Sequence, residues 1–141
     1  MLAAASAHFG IALTSRRVHL PQGAYVDVDG VADDTGTGAP AVFVEAFARQ
    51  GALKGGQLHK VQGDVLKLEL LARAFPGARL GLVFGDPVVA SRVASGWLGE
   101  AVATFGIEIV VAELPAGVRS GLVDAQARQV MLNPPATQDC S

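Results

Sequence analysis

A chain of 141 residues, half of them apolar and 17% charged, is long enough to bury one core and too apolar to stay disordered. Its longest apolar runs are too short and too often interrupted to cross a bilayer, so no membrane is expected as a partner. The formal charge of −2 excludes a global attraction to nucleic acid and leaves only a local patch of lysines and arginines as a route to it.

The opening segment MLAAASAHFGIAL has no basic residue ahead of its apolar part, since arginines come only at Arg16 and Arg17, and it reads as a first helix rather than a secretory signal. RRVHL and AYVDVDGV, separated by Pro21, Gln22 and Gly23, read as two strands joined by a turn. The hydrophilic stretch DDTGTGAP, Asp33 to Pro40, is a loop that leads into a third strand, AVFVEAF. From Gln57 to Ala74, apolar residues at Leu58, Val61, Val65, Leu68 and Ala72 have the spacing of a helix packed on a sheet, and Pro76 and Gly77 end it. ARLGLVF is the continuous apolar run of a central strand. Asp86 and Pro87 predict an N-cap and first turn opening a helix that reaches Phe105 and stops at Gly106. IEIVVAEL is a further buried strand, Gly117 to Val130 a closing helix, and residues 133–141 a flexible tail.

This order predicts an α/β fold with a mixed sheet of about five strands flanked by helices. The later βαβ rhythm implies parallel strands with right-handed crossovers, and the short early connections imply antiparallel neighbours. No repeat or linker divides residues 1–132, which read as a single domain. The one cysteine, Cys140, permits neither an internal disulfide nor a thiolate zinc site, which fits a reducing, cytoplasmic setting. The Ala/Gly-rich, lysine-poor composition would suit a GC-rich bacterial genome.

Chemistry concentrates between Tyr25 and Leu70. Strict alternation in YVDVDGV sets Asp27 and Asp29 on one strand face, and AVFVEAF sets Glu45 within an otherwise apolar strand. Carboxylates gathered at a sheet edge repel one another, and a hard divalent cation such as Mg²⁺ or Mn²⁺ relieves them. Asp27 and Asp29 also suit the exposed side of a half-buried strand. Glu45 shares a face with Phe43 and Phe47, where an unpaired carboxylate would cost several kcal/mol, so it requires a lysine or a metal. Gly30 favours Asp29 over Asp27, because a glycine permits a bulge that could aim the neighbouring side chain. On the helix, Gln57, Lys60, Asp64 and Lys67 form a polar shoulder beside the apolar face. There Lys60 could offer a cation to a phosphate oxygen or a nucleophilic water and Gln57 a hydrogen bond, or the stripe could be a solvated flank of ion pairs.

Other motifs carry less. His8, His19 and His59 lack metal-ligand spacing, and neither a GxSxG elbow nor a GxxxxGK loop is present. Trp97, among Val93, Leu98 and Ala101, reads as a core or interface anchor.

A helix, three strands with acids on the second and third, then a helix and a strand resembles the common αβββαβ core of the PD-(D/E)xK nuclease superfamily, the restriction-endonuclease-like fold, here with an added helix. The resemblance spans roughly Tyr25 to Glu113. It implies that Asp29 and Glu45, 16 positions apart, bind Mg²⁺ and that a lysine two residues after the second acid orients or activates the attacking water. Phe47 stands at that lysine's place. Some members of the family supply the lysine from the following helix, where GALKGGQLHKVQGDVLKL offers Lys54, Lys60 and Lys67. The segment VEAFARQGALKGGQLHKVQGDVLKL looks like small bacterial proteins of this type.

The expected function is therefore metal-dependent hydrolysis of DNA phosphodiesters, with Asp29 and Glu45 holding the ion, Asp27 beside them, Lys60 assisting the water, and Gln57, Lys54 and Lys67 in support. The alternative is a non-enzymatic module on the same fold, DNA-associated or assembling as a homodimer. A domain that binds a nucleotide or other small anion at strand ends stands third.

Overall fold

The computed structural model describes residues 1–113 and 116–132, and the expected tail at 133–141 lies outside them. In chain order the elements are α1 (Leu2–Phe9), β1 (Thr14–His19), β2 (Tyr25–Asp33), β3 (Pro40–Phe47), α2 (Gly55–Ala74), β4 (Arg79–Phe84), α3 (Pro87–Val93), α4 (Gly96–Thr104), β5 (Ile107–Val111) and α5 (Ala116–Leu132). The five strands form one mixed sheet in the order β1-β2-β3-β4-β5. The first three are antiparallel neighbours, and β3, β4 and β5 run parallel, as the connection lengths require. The protein is thus an α/β fold built on a five-stranded mixed sheet.

Alternation along β3 sorts its side chains to two cores. Phe43 and Phe47 face Val61, Val65, Leu68 and Leu71 of α2, in a cluster that continues to Val89 and Val93 of α3 and to Leu98 and Val102 of α4. Val42 and Val44 face the opposite way, with Val83 and Val110, and are covered by Ala5 and Phe9 of α1. Helices therefore lie on both faces, and Glu45 points with Phe43 and Phe47 toward α2.

Two features depart from the expected pattern. The helix expected from Pro87 to Phe105 is broken into α3 and α4, because Gly96 takes a left-handed φ of +63° that no helix interior accepts. Trp97, expected as a core or interface anchor, is 68% exposed and so is no core anchor, and Leu98 and Val102 carry α4 into the core instead. The Asp86 cap is as the sequence implies, its carboxylate accepting the Val88 N–H at 2.8 Å.

Candidate functional site

The decisive local event is a slip of register in β2. Thr14 pairs with Val31 but Arg16 pairs with Val28, so Asp29 and Gly30 stand together opposite Ser15 as a bulge. Gly30 is buried against α1 and the segment after it, where a Cβ would come within 2.8 Å of Leu2 Cδ2 and 3.3 Å of Leu13 Cβ. The slip breaks the alternation that would keep Asp27 and Asp29 together. Asp27 pairs with Arg17 directly across the hairpin, at 2.9 Å and 3.3 Å, with its carboxylate exposed and held below the ordinary range by that guanidinium. Asp29 instead accepts the Ala46 N–H at 2.9 Å, beside Glu45. The β2–β3 pairing reaches only Gly30↔Val44 at this end, so the Asp29 carboxylate bridges the strands where they part.

Glu45 is 3% exposed. Its partner comes from α2: Lys67 Nζ lies 3.0 Å from Glu45 Oε1 and donates also to the Asp27 carbonyl at 3.0 Å. Burial pushes the Glu45 carboxyl up to about 7. The Lys67 hydrogen bond opposes that rise, while the Asp29 and Asp64 carboxylates add to it. The rise persists despite the ion pair, because the loss of water around a buried carboxylate outweighs what one lysine returns, and the two neighbouring carboxylates add to it.

Asp64 is buried as well, at 8% exposure. Its Oδ2 is 3.1 Å from Lys60 Nζ and its Oδ1 is 4.0 Å from Lys67 Nζ. Lys60, the lysine expected at the acids, is therefore engaged by Asp64 and lies over the Phe47 ring, 5.6 Å from its centroid. Lys67 occupies the place at Glu45. Gln57 and Lys54 stand at the start of α2, where Gln57 Oε1 caps the helix by accepting the Lys54 N–H at 2.9 Å. Of the expected site residues, Asp29, Glu45 and Lys67 are brought together, Lys60 is one ion pair away, and Gln57, Lys54 and the Asp27 carboxylate are not part of the cluster.

The burial of Asp64 is not among the expectations, although the sequence holds a signal for it. Val61, Asp64, Val65 and Leu68 follow the i, i+3, i+4, i+7 spacing of a core-facing stripe, so position 64 falls where an apolar residue is expected. A second buried polar group, Gln50, links the β3 and β4 ends by donating to the Ala48 and Gly85 carbonyls at 3.1 Å and 3.0 Å, and Gln126 of α5 brackets its backbone. The histidines are peripheral: His8 meets Glu108 at 3.1 Å and His59 meets Gln62 at 3.0 Å.

Among the described residues, no three His, Cys, Asp or Glu side chains are placed to hold a metal ion between them. No helix there is long and apolar enough to span a membrane. Compared with known proteins, the chain matches no family model, no curated protein and no solved structure.

Proposed function

We propose that this protein is a metal-dependent phosphodiesterase acting on DNA, of the restriction-endonuclease-like kind. The observation that carries the reading is the convergence of the Asp29 and Glu45 carboxylates with the Lys67 ammonium where β2 and β3 separate. The element order α1-β1-β2-β3-α2-β4, with acids on the second and third strands and the lysine on the next helix, supports it.

The donor set suits magnesium or manganese and suits an enclosed protein cage poorly, because such ions take one or two carboxylates and complete their shell with water and phosphate oxygens. A crowded, buried Glu45 gains from a cation as it gains from Lys67. Bound there by Asp29 and Glu45, such an ion would polarise a phosphate oxygen and acidify a water molecule. Asp29 is held in orientation by the Ala46 N–H. Lys67 offers fixed positive charge for a phosphate oxygen or the attacking water, as a preorganised electrostatic stabiliser.

Incubation of supercoiled plasmid with magnesium tests the reading. Nicking is expected from the native chain, none from Asp29→Ala or Glu45→Gln, and a loss on the order of 10²-fold in Lys67→Ala. Since Glu45 must shed its proton to take a cation, the native rate should rise with pH through a midpoint near about 7 before it levels off. Equal nicking by all chains signals contamination, and no nicking by the native chain sinks the reading.

One observation favours a second reading. Lys67 already has an acceptor on each of two strands, an arrangement that by itself ties α2 to β2 and β3. In that reading the cluster is a structural clasp in a non-enzymatic module, and Lys67→Ala lowers stability with no activity to lose.

A further inference from the structure

The proposed metal and phosphate chemistry leaves Asp64 without a role, yet it occupies a core-facing position that a leucine would fill without desolvating a charge. Its side chain is only 11% exposed, and its two oxygens look toward different lysines, Lys60 at 3.1 Å and Lys67 at 4.0 Å. The lysines differ in setting. The Lys67 side chain is 25% exposed and already bonded to Glu45, whereas that of Lys60 is 56% exposed, with its head over Phe47. Phe47 and Glu45 lie two residues apart on one face of β3, so Lys60 marks the solvent side of the same cluster.

We propose that Asp64 is the positioning residue of this site, its buried carboxylate placing Lys67 over Glu45 and Lys60 at the mouth, where Lys60 receives a backbone phosphate of the substrate. The inference rests on the phosphodiesterase reading for its substrate, and the placement of the lysines stands apart from it. A long, flexible lysine at a surface has many rotamers, and a buried counter-charge one helical turn away removes most of them. Lys60 is then ready for a phosphate that approaches the carboxylates, and Lys67 is kept from swinging out when Glu45 changes partner. The charges facing this carboxylate are Lys60 and Lys67 on its own helix and, across the helix–sheet interface, Glu45 on β3.

The test compares the native chain with Asp64→Asn, Asp64→Glu and Lys60→Met, each shown folded by circular dichroism. Amine labelling with an acylating reagent is read lysine by lysine by mass spectrometry, and plasmid nicking in magnesium is followed alongside. An amine engaged by a carboxylate is less available to the reagent, so Asp64→Asn should label several-fold faster at Lys60 and Lys67 and no faster at Lys54. Its nicking should fall on the order of 10-fold through misplacement of the lysines, and Asp64→Glu should restore part of both. Lys60→Met leaves the buried carboxylate in place and keeps the inference testable should Asp64→Asn fail to fold. There Lys67 should label more slowly as the freed carboxylate draws it in, and KM should rise more than kcat falls. Unchanged labelling at Lys60 and Lys67 in Asp64→Asn, or at Lys67 in Lys60→Met, overturns the inference, as does full nicking by Asp64→Asn. Labelling as expected from a native chain that never nicks removes the phosphodiesterase reading and leaves the placement of the lysines standing.

Discussion

At Glu45, burial favours the proton and the Lys67 ammonium favours the charge. Buried beside Asp29 and Asp64, it holds its proton to about pH 7, against an ordinary value of 4.5. The folded chain therefore keeps a proton that the unfolded chain has released, and this contribution favours the fold below the ordinary value and is lost as pH rises toward 7. Asp27, Asp33, Asp34 and Glu108 have the opposite sign. Their carboxyls are depressed by hydrogen bonds, from Arg17, Arg16, Thr37 and Arg79 respectively, so their contributions fade only on acidification. Without metal, the native melting temperature should thus fall between about pH 5 and about pH 8, and Glu45→Gln should lose that portion of the decline and melt above the native chain at the alkaline end. Thermal melts by circular dichroism across that range check it. Parallel curves for the two chains would show that the charge on Glu45 is compensated at no net loss.

Among the elements, the corner between α3 and α4 makes the plainest mechanical demand. A Cβ at Gly99 would run into the Ala94 backbone carbonyl, a group fixed at the end of α3 that cannot step aside. Gly99→Ala should therefore destabilise by about 1–3 kcal/mol, as overpacking does, although alanine favours helix at an unconstrained site. Urea unfolding measures it, and a neutral or stabilising result would mean that the corner can open. Much of this arrangement is legible in the sequence. The β3 strand and the inward Glu45 follow from alternation in AVFVEAF, and α2 follows from its apolar spacing. Gly30 hints at the bulge beside Asp29, but the consequence for Asp27 depends on the partner strand. Lys60 and Lys67 are seven residues apart and differ by only about 20° around a helix, so no helical projection separates them. Only the crossing of α2 over the sheet decides which turn lies above Glu45, and that crossing is set by packing contacts remote in sequence. Likewise, the break at Gly96 is hidden in the sequence, because a single glycine within a helical stretch does not by itself announce a left-handed turn.

For the molecule as a whole, a cation that binds only the folded site must raise its stability by mass action, by about 2.7 kcal/mol at a hundredfold excess over Kd. Millimolar magnesium or manganese should raise the melting temperature of the native chain more at pH 8 than at pH 6, where Glu45 retains its proton, and should leave Glu45→Gln unmoved. Differential scanning calorimetry with and without a chelator checks it. An equal rise in the variant would place the effect elsewhere on the surface.

Strand order in this sheet is also order of synthesis. Each strand lies beside the one made before it, and none is inserted between two already placed, so sheet growth from the amino end requires no rearrangement of earlier pairs. Asp29, Glu45, Asp64 and both lysines belong to β2, β3 and α2, all of which precede β4 and β5 in the chain. The elements from β4 onward supply the wall against which α2 and the sheet are pressed. A growing chain thus carries every charged group of the cluster before it has the apolar cover from β4, α3, α4 and β5 that gives those charges their unusual energies.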